Sequence, residues 1–139
     1  MNWLPWALLS AIFAALTAIL AKLGVERVNS NVATAIRTTV VLGFTWLLAI
    51  PGLRETPLRT IESRTWTFLA LSGLATGASW ICYFRALHLG QVSQVAPIDK
   101  LSVVLVVVFA ALFLGERLTS REYAGAALIA LGALIMAWK

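Results

Sequence analysis

A single cysteine, Cys82, and a single histidine, His88, occur in a chain of 139 residues. A lone thiol excludes an intrachain disulfide and any multi-cysteine metal site, and a lone imidazole forms no ligand cluster. No metal and no cofactor are therefore expected. Charge is scarce as well: 12% of the residues are Asp, Glu, Lys or Arg, against about a quarter in a soluble domain. That is too little polar surface to cover a soluble globule. Acids are the scarcer sign, 6 against 11 Lys and Arg, which leaves a net charge of +5. The basic residues sit at segment ends and form neither a stripe nor a recognition motif. Anionic lipid headgroups are the expected counter-charge, and nucleic acid is not an expected partner. No nucleophile, base and orienting group occur together, so an enzyme is not expected either.

What is abundant is apolar. Hydrophobic residues make up 60% of the chain and come in blocks of about 20, the length that carries a helix across a bilayer core of roughly 30 Å. Five blocks, at about 3–21, 32–50, 66–87, 94–115 and 121–138, predict an all-α integral membrane fold of five transmembrane helices in a single domain. The opening stretch, MNWLPWALLSAIFAALTAILAK, has no basic region ahead of an apolar run longer than a signal peptide's, so it is read as a retained helix. Trp3 and Trp6 fall at one interface, Pro51-Gly52 stops the second block, Trp66 opens the third, and Trp138 and Lys139 anchor the last. Gly73 and Gly77 stand in a GxxxG spacing, and Gly125 and Gly132 lie one heptad apart. Such small residues let helix backbones approach in lipid, so these four are candidate helix-packing positions.

The charges inside the blocks are the anomaly. After Asp99 and Lys100 the apolar run Leu101–Gly115 gives only about 22 Å of helix, so the fourth crossing has to include residues from Pro97 to Lys100. Arg37 is caught in the same way, because Thr38–Ile50 is too short to span without it. A charge at such depth costs about 2.5–3.5 kcal/mol and usually faces a bundle interior or a watery cavity. Adjacent helical residues point about 100° apart, so one of Asp99 and Lys100 lines the interior and the other snorkels. With alternating crossings Arg37, Arg85, His88, Asp99 and Lys100 all fall toward one membrane face, as an ion-paired vestibule would require. A second reading of Asp99 stays open: Pro97 suits a first helical position, and an acid two residues later suits a helix start. Arg85 and Lys100 are equally readable as snorkelling anchors. Glu116 and Arg117 read as an interfacial turn.

Orientation is nearly balanced. Arg54, Arg59, Arg64, Arg117 and Arg121 lie on one side, and Lys22, Arg27 and Lys139 on the other, joined there by the membrane-edge Arg37, Arg85 and Lys100. A weak bias of this kind permits insertion in both orientations.

From Ala86 onward the chain resembles the second part of an EamA repeat of the drug/metabolite transporter superfamily. The matching residues are Ala86, Leu87, Ser93, Pro97, Gly115, Glu116, Arg117, Leu118, Thr119, Gly125 and Gly132; the earlier blocks agree in number and spacing. The resemblance implies an inner-membrane carrier of small metabolites, amino acids or drugs, usually ten helices in two inverted five-helix repeats. This chain holds one EamA-type repeat, so the resemblance implies a homodimer of oppositely inserted copies with its site between them. Small multidrug-resistance carriers of the superfamily use a glutamate in their first helix, but no acid occurs between Trp3 and Ala21. A proton-coupled role could fall only to Asp99. The expected solute pathway comprises Arg37 and Asp99 with Arg85 and Lys100, and its surplus of cations favours an anionic or zwitterionic solute. The alternatives are a non-transporting membrane scaffold and a half-transporter with a different five-helix partner.

Overall fold

The computed structural model describes residues 2–138; Lys139, the expected anchor of the last span, lies outside them. Its helices are α1 (Leu4–Val25), α2 (Ser30–Ala49), α3 (Ser63–Leu89), α4 (Val92–Asp99), α5 (Leu101–Phe113) and α6 (Ser120–Ala137), with two short 3-10 turns, Pro51–Arg54 and Leu58–Thr60, between α2 and α3. No strand occurs among the described residues. Five stretches are long and apolar enough to cross a membrane: α1, α2, α3, the joined segment Val92–Phe113, and α6.

The helix ends follow from local chemistry. Asn2 Oδ1 accepts from the Leu4 N–H at 3.2 Å, and Asn29 Oδ1 accepts from the Asn31 N–H at 2.9 Å, each satisfying an orphan donor at a helix start. Pro51 and Pro57 keep the link after α2 out of α-helix, and it folds into its 3-10 turns instead. Gly115, at φ 68, closes α5. The left-handed conformation it adopts is one that a side chain disfavours. The Ala110 carbonyl accepts there from the N–H groups of Leu114 (3.0 Å) and Glu116 (3.2 Å).

Within the helices several threonine hydroxyls are satisfied locally, as a solvent without water favours. Thr34 donates to the Ser30 carbonyl and Thr38 to that of Thr34, both at 2.8 Å, and Thr76 donates to Ser72 at 2.9 Å. Large apolar side chains such as Phe13, Ile36, Phe44 and Leu74 are exposed. On a soluble protein that would be an aggregating surface; here it is the face that lipid wets.

The chain forms two compact units, one combining α1 up to Lys22 with the residues from Leu89 onward, the other running Leu23–His88. In the first, α6 packs on α4 and α5. The covered positions of α6 include Ala126, Ala130, Ala133 and Ala137, one helical face of small residues, and those of α5 include Leu101, Val104 and Val107. Small side chains there let backbones come close, which is how helices associate in lipid. In the second unit Val25, Phe84 and Leu87 are buried, and the His88 ring lies 3.1 Å from the Val25 carbonyl. With its proton on Nδ1, His88 donates to that last carbonyl of α1, which also accepts from the Val28 N–H at 3.4 Å.

Candidate functional site

The fourth span is not one helix. Pro97 sits inside α4 and has no N–H to offer the Ser93 carbonyl. The Lys100 N–H then lies within reach of both the Ala96 (3.3 Å) and Pro97 (3.1 Å) carbonyls, and a new helix starts at Leu101. Asp99 therefore ends a helix that began at Val92. This overturns the reading of Asp99 as a helix-start residue: the first turn of the crossing lies upstream of Pro97, and the acid stands at the junction of α4 and α5. Its carboxylate is 3.3 Å from Lys100 Nζ, the one ion pair among the described residues. Both side chains reach solvent or headgroups, Lys100 more (56% exposed) than Asp99 (36%).

Arg37 is held differently. It lies on α2, half-buried, with its guanidinium carbon 4.3 Å from the centre of the Trp80 ring and 5.4 Å from that of Phe84. Trp80 and Phe84 are four residues apart on α3 and so share one face of that helix. The ring quadrupoles attract a cation, and do so more strongly away from water. No carboxylate of the Leu23–His88 unit, which contains Glu26, Glu55 and Glu62, pairs with Arg37. Arg85, also on α3, is exposed.

Of the four glycines expected to mediate packing, Gly77 and Gly125 are half-covered and Gly73 and Gly132 are exposed. A Cβ added at any of them would meet nothing within 4 Å. Lys22 donates from Nζ to the Gly90 carbonyl at 3.1 Å, supporting the turn that follows α3. Among the described residues no group of His, Cys, Asp and Glu could hold a metal ion.

Sequence reasoning did not find two features. One is the pair of rings under Arg37, for which the signal is only an aromatic spacing of four in a distant block. The other is the capping box of α6, in which Thr119 Oγ1 accepts from the Glu122 N–H at 3.4 Å while Glu122 Oε2 accepts from the Thr119 N–H at 2.6 Å. Its Thr-x-x-Glu spacing is legible in the sequence.

Five apolar spans with charges retained inside them define a multi-pass helical membrane protein. The chain belongs to the EamA-like transporter family, whose pattern matches residues 1–138. An uncharacterized transporter from the cobO 3' region of Sinorhizobium sp. is 56% identical over 137 residues, covering 98% of this chain and 96% of that protein. A probable 4-amino-4-deoxy-L-arabinose-phosphoundecaprenol flippase subunit, ArnE, of Yersinia pestis (strain Pestoides F) is 34% identical over 84 residues, 60% of this chain and 74% of that protein. The ArnE of Yersinia pseudotuberculosis serotype O:1b (strain IP 31758) matches to the same extent, at 34% over 84 residues. No solved structure matches the chain.

Proposed function

We propose that this chain is a subunit of a carrier that moves a small metabolite, amino acid or drug-like solute across the cell membrane, and that it works as a homodimer of oppositely inserted copies. The observation that carries the reading is a cation and an acid kept within the length of apolar spans: Arg37 in α2, and Asp99 at the break of the fourth span. Each is expensive in oil, and a broken helix with a charge at the break is a common way to build a transport site. The candidate path residues are Arg37 and Asp99, with Arg85 and Lys100. Five spans leave the two ends of the chain on opposite sides of the membrane, so an inverted second copy supplies the other half of a ten-helix carrier. The open glycines at 73, 77, 125 and 132 provide surfaces on which that copy can dock closely.

A reporter fused to the C-terminus tests the assembly. Signal on both membrane faces is the expected result, and a single location with full flux would remove the inverted homodimer. Replacing Arg37 and Asp99 together by neutral residues tests transport, since a carrier loses flux whereas a scaffold that still folds tolerates the change.

A second reading is favoured by one comparison. The Yersinia relatives are named as subunits of a flippase for a phosphate-linked lipid sugar, which would make this chain half of a heteromer acting on an amphiphile. Its mass after purification alone in detergent separates the two, because a stable dimer supports self-assembly and a monomer supports a missing partner.

A further inference from the structure

We infer that Arg37 is the phosphate-recognition residue of the path, with Trp80 and Phe84 holding its guanidinium from behind; this rests on the carrier reading above. The starting point is an imbalance between charge and hydrogen bonding. A guanidinium carries five N–H donors in a planar fork and no acceptor. Ring faces at 4.3 and 5.4 Å attract its charge, yet they give its N–H groups no oxygen to bond.

On α3 the Tyr83 phenol interacts electrostatically with Arg37, but a single phenol oxygen cannot fill a planar fork of five donors, and the α2 neighbours do not supply the rest. Thr34 and Thr38 turn their hydroxyls onto the backbone of their own helix, and the acids of the unit make no pair with Arg37. Arg37 also lies seven residues beyond Ser30, about 10 Å along α2. That is deep enough for unbonded donors to be costly. An oxyanion presenting two coplanar oxygens meets the requirement, and the arginine fork suits phosphate in a way that a lysine point charge does not. Being seated on rings, the guanidinium is already oriented, so less side-chain entropy is lost when the phosphate arrives.

Phosphate can come from a solute in transit or from the headgroup of a surrounding phospholipid, and the two call for separate arms. The full chain is reconstituted in discs of phosphatidylcholine and titrated with inorganic phosphate and with glycerol phosphate, reading the thermal midpoint and tryptophan emission. A second series uses discs doped with phosphatidylglycerol and no soluble phosphate. A response in the first arm assigns the site to solute, and one in the second alone assigns it to lipid. In either case Arg37→Gln should weaken the response by at least about 10-fold, the loss expected for one charge-assisted hydrogen bond.

Arg64→Gln serves as the control. Arg64 also stands over a ring, Phe68, at 5.7 Å, but at the exposed start of α3, and its loss should leave the response unchanged. Should Arg37→Gln fail to fold, Arg37→Lys keeps the charge without the planar fork and should still weaken phosphate binding several-fold. The assignment is overturned if the Arg37 variants respond as the wild type does, or if the wild type responds in neither arm. Flux of glycerol phosphate into vesicles is measured separately. Binding that depends on Arg37 without flux leaves the site and removes the carrier reading, whereas undiminished flux in Arg37→Gln removes the site and leaves the carrier.

Discussion

Arg37 and Lys100 are both cations set within apolar spans, and the chain keeps them there by opposite means. In the Leu23–His88 unit, Arg37 leans on two ring faces contributed by another helix and has no acid. In the other unit, Lys100 sits where its own helix breaks, beside an acid that is its neighbour in sequence, and more than half of its side chain is exposed. The difference concerns who supplies the compensation. For Lys100 it is local, available as soon as the segment forms, and weak because the pair is wet. For Arg37 it is tertiary, and strong only while α2 and α3 hold the rings in place.

Charge reversal should separate the two most sharply. Arg37→Glu puts an anion against the negative faces of Trp80 and Phe84, so the attraction is lost and an insertion cost of about 2.5–3.5 kcal/mol remains without compensation. The amount of folded protein in the membrane should fall by at least about 10-fold. Lys100→Glu, at an exposed junction, should cost far less. Comparable losses in quantitative membrane blots of the two variants would show that ring support and local pairing are not different devices.

The next largest effect concerns the link from α5 to α6. Gly115→Ala meets no neighbouring atom, so its cost is conformational: at φ 68 a side chain is disfavoured by about 1–2 kcal/mol. The thermal midpoint should drop accordingly. Thr119→Ala removes the hydroxyl half of the capping box and should cost about 1 kcal/mol. Both changes act within the unit that holds α4–α6 and should leave the phosphate response of Arg37 intact, which sharpens the division between the two regions.

Much of this was legible in the sequence, and what was not has a physical cause. Five spans can be read directly, because block length against bilayer thickness is a one-dimensional property. The anomaly of Arg37 is equally one-dimensional: the run Thr38–Ile50 cannot cross without it. Its ring partners were hidden, since nothing local to α2 specifies which face of α3 it meets. Asp99 shows the reverse limit. Pro97 is compatible with a helix start and with a helix interior, and only the helical turn formed by Val92–Ala96 decides between them. The Thr119–Glu122 box lay in plain view as a spacing, overshadowed by the adjacent charges of Glu116 and Arg117.

A smaller effect is expected of Trp80→Leu, which takes the nearer ring from Arg37 and keeps an apolar side chain in its place. A cation–π contact is worth about 0.5–1 kcal/mol when exposed and about 2 when desolvated. The half-buried Arg37 falls between, so a loss of about 1 kcal/mol is expected in the thermal midpoint. The same change should weaken the phosphate response, because the fork is no longer held in one orientation. A lowered midpoint with an unaltered response would make the ring a brace and nothing more.

The smallest effect on stability should come from the acid at the helix break. An ion pair as exposed as Asp99–Lys100 contributes about 0–1 kcal/mol, so Asp99→Asn should insert normally and melt within about 1 kcal/mol of the wild type. Function should not follow stability here. On the proposed carrier reading, Asp99→Asn is expected to abolish pH-driven uptake into vesicles while solute exchange without a pH gradient persists. Unchanged coupling would reduce Asp99 to a partner for Lys100, and the two regions would then differ only in how they tolerate charge, with neither acid nor break contributing to the driving force.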